Sequence, residues 1–126
     1  MLDTNIISDL LRNPAGPAAQ RARQEAANVC VSIIVAAELR YGCAKKESPQ
    51  LARRIEQFLS AVAVLPFDAP ADQAYGTIRA GLEAAGQPVG SNDLLIAAQA
   101  LGAVVVTANT GEFSRIPGLT VENWLE

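Results

Sequence analysis

Val104-Val105-Val106-Thr107 is a β-branched run without polar alternation, and it passes directly into Ala108-Asn109-Thr110-Gly111-Glu112-Phe113. A short, uniformly apolar segment of this kind fits a strand covered on both faces, as in parallel sheets sandwiched between helices. Before it, Leu94, Leu95, Ala97, Ala98 and Leu101 predict a short helix capped by Asn92 or Asp93 and reached through the polar loop Gln87 to Ser91. After it, Leu119 to Val121 reads as a weak last strand. Asp68 can cap a long helix to about Ala85, where Gly86 stops it. Ala63-Val64-Leu65 reads as a strand, and Ser48-Pro49 opens a helix with Leu51, Ile55, Phe58 and Leu59 on its buried face. Val29-Cys30-Val31 reads as another buried strand, followed by a helix that Ser32 caps and that carries Val35, Glu38, Leu39 and Gly42. Nearer the N-terminus, a helix to about Arg12 places Ile6, Leu10 and Leu11 on one face, and an Ala-rich helix to about Asn28 follows the break at Pro14 to Pro17. Strands separated by helices, with no repeat, predict an α/β fold in a single domain over residues 1–126. Its expected form is three layers, with a short, mostly parallel central sheet flanked by helices.

In such sheets, ligands gather beyond the carboxyl ends of the strands. Asp3 follows a first short strand, and the loop Asn109 to Glu112 follows the best one, so both belong to that edge. Two more polar islands stand out: Ala37-Glu38-Leu39-Arg40-Tyr41-Gly42, where Glu38 flanks an apolar stripe, and Ser91-Asn92-Asp93-Leu94, where Asp93 opens a helix whose N-terminus favours the ionised carboxylate. Singly, these are ordinary caps, a solvated face and a turn. Together, Asp3, Glu38, Asp93 and Glu112 can share one pocket, and divalent metal relieves their mutual repulsion most readily. Such a pocket is a metal-dependent phosphodiester-cutting site. Thr4, Asn5 and Thr107 are placed to orient a ligand acid or a water, and Arg12, Arg40 and Arg115 flank the islands as candidate phosphate contacts.

The chain has 126 residues, 50% of them hydrophobic, and no histidine. Lacking histidine, it cannot run Ser-His-Asp or Cys-His nucleophilic chemistry or a histidine acid/base pair. Net charge is -3, but with the four candidate acids set aside, the remaining 9 of 13 acidic groups face 10 basic ones, so the rest of the surface is close to neutral. Cys30 and Cys43 lack C-x-x-C spacing and sit among apolar neighbours, as buried free thiols of a reducing compartment do. No stretch suggests a spanning helix or a secretory leader, so a cytoplasmic protein with no membrane association is expected.

Four stretches together resemble the PIN-domain ribonucleases, and among them the VapC-like toxins of bacterial toxin-antitoxin pairs. They are Leu-Asp-Thr-Asn-Ile-Ile-Ser-Asp-Leu-Leu-Arg from Leu2, Ala-Glu-Leu-Arg-Tyr-Gly from Ala37, Asn-Asp-Leu-Leu-Ile-Ala-Ala from Asn92, and Glu-Phe-Ser-Arg-Ile-Pro-Gly-Leu with Val-Glu-Asn-Trp near the end. The resemblance runs from Leu2 to Trp124. It implies that Asp3, Glu38 and Asp93 are the catalytic, metal-binding acids, with Glu112 as a variable fourth helped by Asn109. It further implies a Mg²⁺- or Mn²⁺-dependent endoribonuclease that leaves a 3′-hydroxyl and a 5′-phosphate on structured RNA, transfer RNA above all. A homodimer and a cognate antitoxin are the implied partners. The antitoxin's tail would follow a groove partly formed by the first two helices and bring a basic side chain to Asp3, Glu38 and Asp93. Two features depart from the family pattern. Only Met1 and Leu2 precede Asp3 where relatives have a longer strand, and Gln99-Ala100 stands where histidine often occurs.

Rival readings fit less well. A haloacid-dehalogenase-type phosphatase needs a second acid two residues after the first, and that position is Asn5; a receiver domain needs a lysine after a late strand, and the last lysine is Lys46. The remaining alternative is a catalytically silent PIN-like module that binds RNA or a protein partner.

Overall fold

The computed structural model describes residues 1–125. Strand β1 (Cys30–Ser32) pairs in parallel with β2 (Ala63–Leu65), and β3 (Val104–Val106) pairs in parallel with β4 (Thr120–Glu122). The start of the chain joins the two ladders. Leu2 forms a parallel bridge to Val106, its N–H donates to the Cys30 carbonyl at 3.0 Å, and the Asp3 N–H donates to the Val106 carbonyl at 2.9 Å. Leu2 thus lies between the two ladders, and Asp3 leaves it at the same edge as Thr107 leaves β3.

Seven helices surround this sheet among the described residues: α1 (Thr4–Arg12), α2 (Pro17–Gln24), α3 (Ile33–Lys46), α4 (Pro49–Ser60), α5 (Ala71–Ala84), α6 (Ser91–Ala100) and α7 (Thr110–Phe113). Local chemistry sets their starts. Asp3 caps α1 through Thr4, the Ser32 hydroxyl accepts from the Ile34 N–H at 3.0 Å to start α3, and Ser48 accepts from the Leu51 N–H at 3.2 Å to start α4, with Pro49 in its first turn.

Several boundaries differ from the sequence reading. Strands β1 and β4 each lie one residue later than predicted, and Thr107 has already left β3. Asp68 does not cap α5. A residue before proline is disfavoured in the helical region, so Ala69 stays out and the helix begins at Ala71, whose N–H donates to the Asp68 backbone carbonyl at 2.8 Å. Nor does Asn92 or Asp93 cap α6. The Leu94 N–H donates to the Gly90 carbonyl at 2.9 Å, which makes Gly90 the cap position and places both residues inside the first turn. On α1 the fully enclosed residues are Ile6 and Ile7, with Leu10 and Leu11 only partly covered, because α1 packs against both α2 and α3.

The core runs through the sheet and both helical layers, with Leu2, Ile6, Ile7, Val31, Val35, Ile96, Val105 and Phe113 almost fully enclosed. Burial of each such side chain contributes roughly 1.5–3 kcal/mol, which offsets the entropy of ordering strands this short. Both cysteines are free thiols, Cys43 buried and Cys30 partly so. Among the described residues, no helix is long and apolar enough to cross a membrane.

Candidate active site

Asp3 is only 4% exposed, where an unpartnered carboxylate would be costly. It is fully engaged. Its Oδ1 accepts from the Thr4 N–H at 2.8 Å, and its Oδ2 accepts from the Thr107 hydroxyl at 2.8 Å and from Asn5 Nδ2 at 3.3 Å. The Asn5 Oδ1 accepts in turn from the Ala108 N–H at 3.0 Å, and the Thr107 Oγ1 accepts from the Asn109 N–H at 2.9 Å. These bonds tie the start of α1 to the loop after β3, and they give Thr4, Asn5 and Thr107 the orienting positions expected of them.

Asn109 joins the next two acids. Its side-chain amide donates to Asp93 Oδ2 at 3.1 Å and to Glu112 Oε2 at 3.0 Å. Glu38, half-buried on α3 beside the enclosed Leu39, accepts from the Thr4 hydroxyl at 2.9 Å. The four acids therefore belong to one hydrogen-bonded assembly whose links are Thr4, Asn5, Thr107 and Asn109. One contributor was not read from the sequence: the Gly90 N–H also helps hold Glu112 ionised, a backbone contact that no residue type announces.

Crowding sets the protonation. Burial, then hydrogen bonding to Glu112, then the charges of Asp3 and Glu112 push Asp93 up to about 7, against a smaller opposing contribution from Asn109. Glu112 moves the other way, held low by its hydrogen bonds from Asp93 and Asn109, with Arg115 assisting. The two acids titrate as a pair, with proton affinity raised at Asp93 and lowered at Glu112. This corrects the expectation that the helix N-terminus keeps Asp93 ionised; desolvation and two neighbouring acids outweigh the backbone dipoles.

The candidate phosphate-binding arginines take different places. Arg40 is committed to Glu56 on α4, with Nε and Nη2 donating at 2.8 and 3.0 Å. Arg115 donates to the Pro88 carbonyl at 3.1 Å and lies near enough to Glu112 to influence it. Arg12 is exposed at the end of α1, on a cavity that Thr4 and Glu38 also line. Gln99 is not part of the acid assembly. It accepts from the buried Ser32 hydroxyl at 2.6 Å and donates to the carbonyls of Leu65 and Pro66, both at 2.8 Å.

Among the described residues, no three acids, cysteines or histidines form a ready-made metal cage. A hard cation of the Mg²⁺ type does not require one, since it keeps several waters and binds through one or two carboxylates. The donor set is all oxygen, and a carboxyl that retains its proton near neutrality marks an excess of negative charge that a cation relieves. The residues fit a hard divalent ion.

A model of the PIN domain matches residues 1–119. The tRNA(fMet)-specific endonuclease VapC of Shigella flexneri is 39% identical over 127 residues, covering 98% of this chain and 96% of that protein. The structure of DNA-bound VapBC from Salmonella typhimurium matches with a TM-score of 0.93 at 39% identity, over 98% of this chain and 96% of that one. VapBC2 from Rickettsia felis, bound to a DNA fragment from its promoter, matches with a TM-score of 0.91 at 39% identity, over 98% and 97%. With near-complete coverage in both directions and the same fold, the chain belongs to the PIN-domain family and, within it, to the VapC ribonucleases.

Proposed function

We propose that this chain is a divalent-metal-dependent endoribonuclease toxin, held in check by a cognate antitoxin, that hydrolyses phosphodiester bonds in structured RNA, with transfer RNA as the substrate class. The observation that carries this reading is the single assembly of Asp3, Glu38, Asp93 and Glu112, in which Asp93 is too crowded to ionise freely. Asp3 and Asp93, with Glu112 and Glu38 alongside, would hold Mg²⁺ or Mn²⁺. When bound, the ion supplies Lewis-acid stabilisation of charge on phosphate and an activated water at neutral pH.

The protein's own groups do the positioning. Thr107, Thr4 and Asn5 lock Asp3 in one orientation, and Asn109 keeps Asp93 and Glu112 side by side. Thr4 links Glu38 to the same frame. Preorganised carboxylates need no rearrangement when the substrate arrives, which is where such sites gain rate. The VapBC pairing of the relatives supports a cognate antitoxin, and a basic residue of it entering near Asp3, Glu38 and Asp93 would compete with metal.

The test compares purified wild type with Asp93→Asn on bulk transfer RNA, with Mg²⁺ and with chelator. We expect Mg²⁺-dependent cleavage by wild type and a loss of at least about 100-fold in the variant with the fold retained, Glu112→Gln being milder. Undiminished cleavage by Asp93→Asn would refute the metal site. RNA binding without cleavage by wild type would make the chain a silent binding module.

A further inference from the structure

Thr4 and Glu38 face the acid assembly and also line a second cavity of about 280 Å³ between α1, α3 and α4. Its floor is apolar, with Leu39 and Ile55 nearly enclosed, and three cations stand on it: Arg12, Lys46 and Arg54. Arg54 donates to the Leu11 carbonyl, which ties it to the last turn of α1. Among the described residues none of the three is ion-paired, and Glu38 is the one acid of the lining.

This concentration is unusual for a chain of net charge -3 with only 10 basic residues. Arg12, Arg40, Lys45, Lys46, Arg53 and Arg54 all belong to α1, α3 and α4, so these three helices hold more than half of the cations. Arg40 is neutralised by Glu56, whereas none of the three at the cavity is paired with an acid among the described residues. Electrostatics gives that arrangement a purpose. An acid cluster repels the polyanion it is meant to cut, and cations immediately beside it offset that repulsion and set the register of the strand.

We infer that this cavity is a second phosphate subsite, in which Arg12, Lys46 and Arg54 hold a backbone phosphate of the RNA strand adjacent to the one cut at Asp3 and Asp93. The inference rests on the ribonuclease reading and adds the side from which the substrate crosses the site, over α3 and α4. The hydroxyl of Ser8, which also lines the cavity, supplies a neutral donor to the same phosphate. No base-reading group is involved, so the subsite contributes affinity and register and no sequence preference.

The test uses the full chain with Mg²⁺ on oligouridylate and on bulk transfer RNA. Arg12→Ala and Lys46→Ala should each raise KM about 3- to 10-fold with kcat nearly unchanged, as loss of uniform binding requires. Each should also lower the slope of log affinity against log salt by roughly 0.7–0.9. Lys46→Arg should restore both, and Arg23→Ala, on α2, should change neither. Arg54 is left in place because its tie to Leu11 also supports α1. If wild type cuts RNA while a folded Lys46→Glu variant keeps its KM and salt slope, the subsite is overturned and the ribonuclease reading stands; if wild type cuts nothing, both fall. Unchanged RNA kinetics with lost antitoxin affinity would assign the cavity to the protein partner and overturn the subsite as well.

Discussion

Asp93 occupies the third position of α6, where the backbone dipoles favour an ionised carboxylate by about 0.3–1 kcal/mol. Burial, Glu112 and Asp3 act in the opposite direction and prevail, so its carboxyl titrates at about 7. Because the folded pKa lies above the unfolded one, the folded state binds the extra proton between about pH 4 and 7, and metal-free stability falls as pH rises through that window. Asp93→Asn removes the penalty. In chelator above pH 7 the variant should therefore melt higher than wild type, the gap closing toward pH 4, while added Mg²⁺ should raise the melting temperature of wild type alone. Thermal melts across pH check this, and identical curves in chelator would contradict it.

The strands have only three residues each, too few to hold the sheet by ladder hydrogen bonds alone, so side-chain ties between elements matter more than usual. Gln99 on α6 is one such tie. It reaches the Ser32 hydroxyl at the end of β1 and the carbonyls of Leu65 and Pro66 at the end of β2. Ser32 is fully buried and caps α3, the helix that carries Glu38. Gln99→Leu would leave that hydroxyl without its acceptor, which costs about 2 kcal/mol. We predict a matching shift in the denaturation midpoint with the Mg²⁺-dependent activity of the folded fraction retained; an unchanged midpoint would show the tie to be dispensable. The same bonds explain why glutamine serves where relatives often have histidine: here the position holds the sheet edge and touches none of the acids.

At the scale of the molecule, one face remains apolar. Leu65 and Leu101 are 38% and 39% exposed, and with Ile78 they line a cleft of about 670 Å³ between α5, α6 and the end of β2. Among the described residues strand β2 pairs only with β1, so this face also borders an open sheet edge. Leu82 is only 5% exposed and belongs to the core, whereas Phe58 and Ile78 are partly covered. We propose that two copies pair across the cleft and that Leu101→Glu separates them. Light scattering at tens of micromolar, the range of weak two-fold contacts, should read a dimer for wild type and a monomer for the variant; a wild-type monomer would exclude the pairing.

Element order, the parallel sheet and the four acids were legible in the chain itself, because β-branched runs, apolar stripes and caps are local signals that tertiary context reinforced. Val104 to Val106, Ala63 to Leu65 and the caps Asp3, Ser32 and Ser48 needed nothing beyond their neighbours. What depended on distant residues was not legible. That Leu2 joins the two ladders is decided by Cys30 and Val106, which flank it. Asn109 was expected to help Glu112, but only the closeness of α6 and α7 makes it the bridge to Asp93 as well. Arg40 looked available for phosphate until Glu56, on the next helix, claimed it. The charge state of Asp93 reversed for the same reason: a carboxyl's proton affinity is set by burial and by neighbouring charges, and both come from parts of the chain far away in sequence.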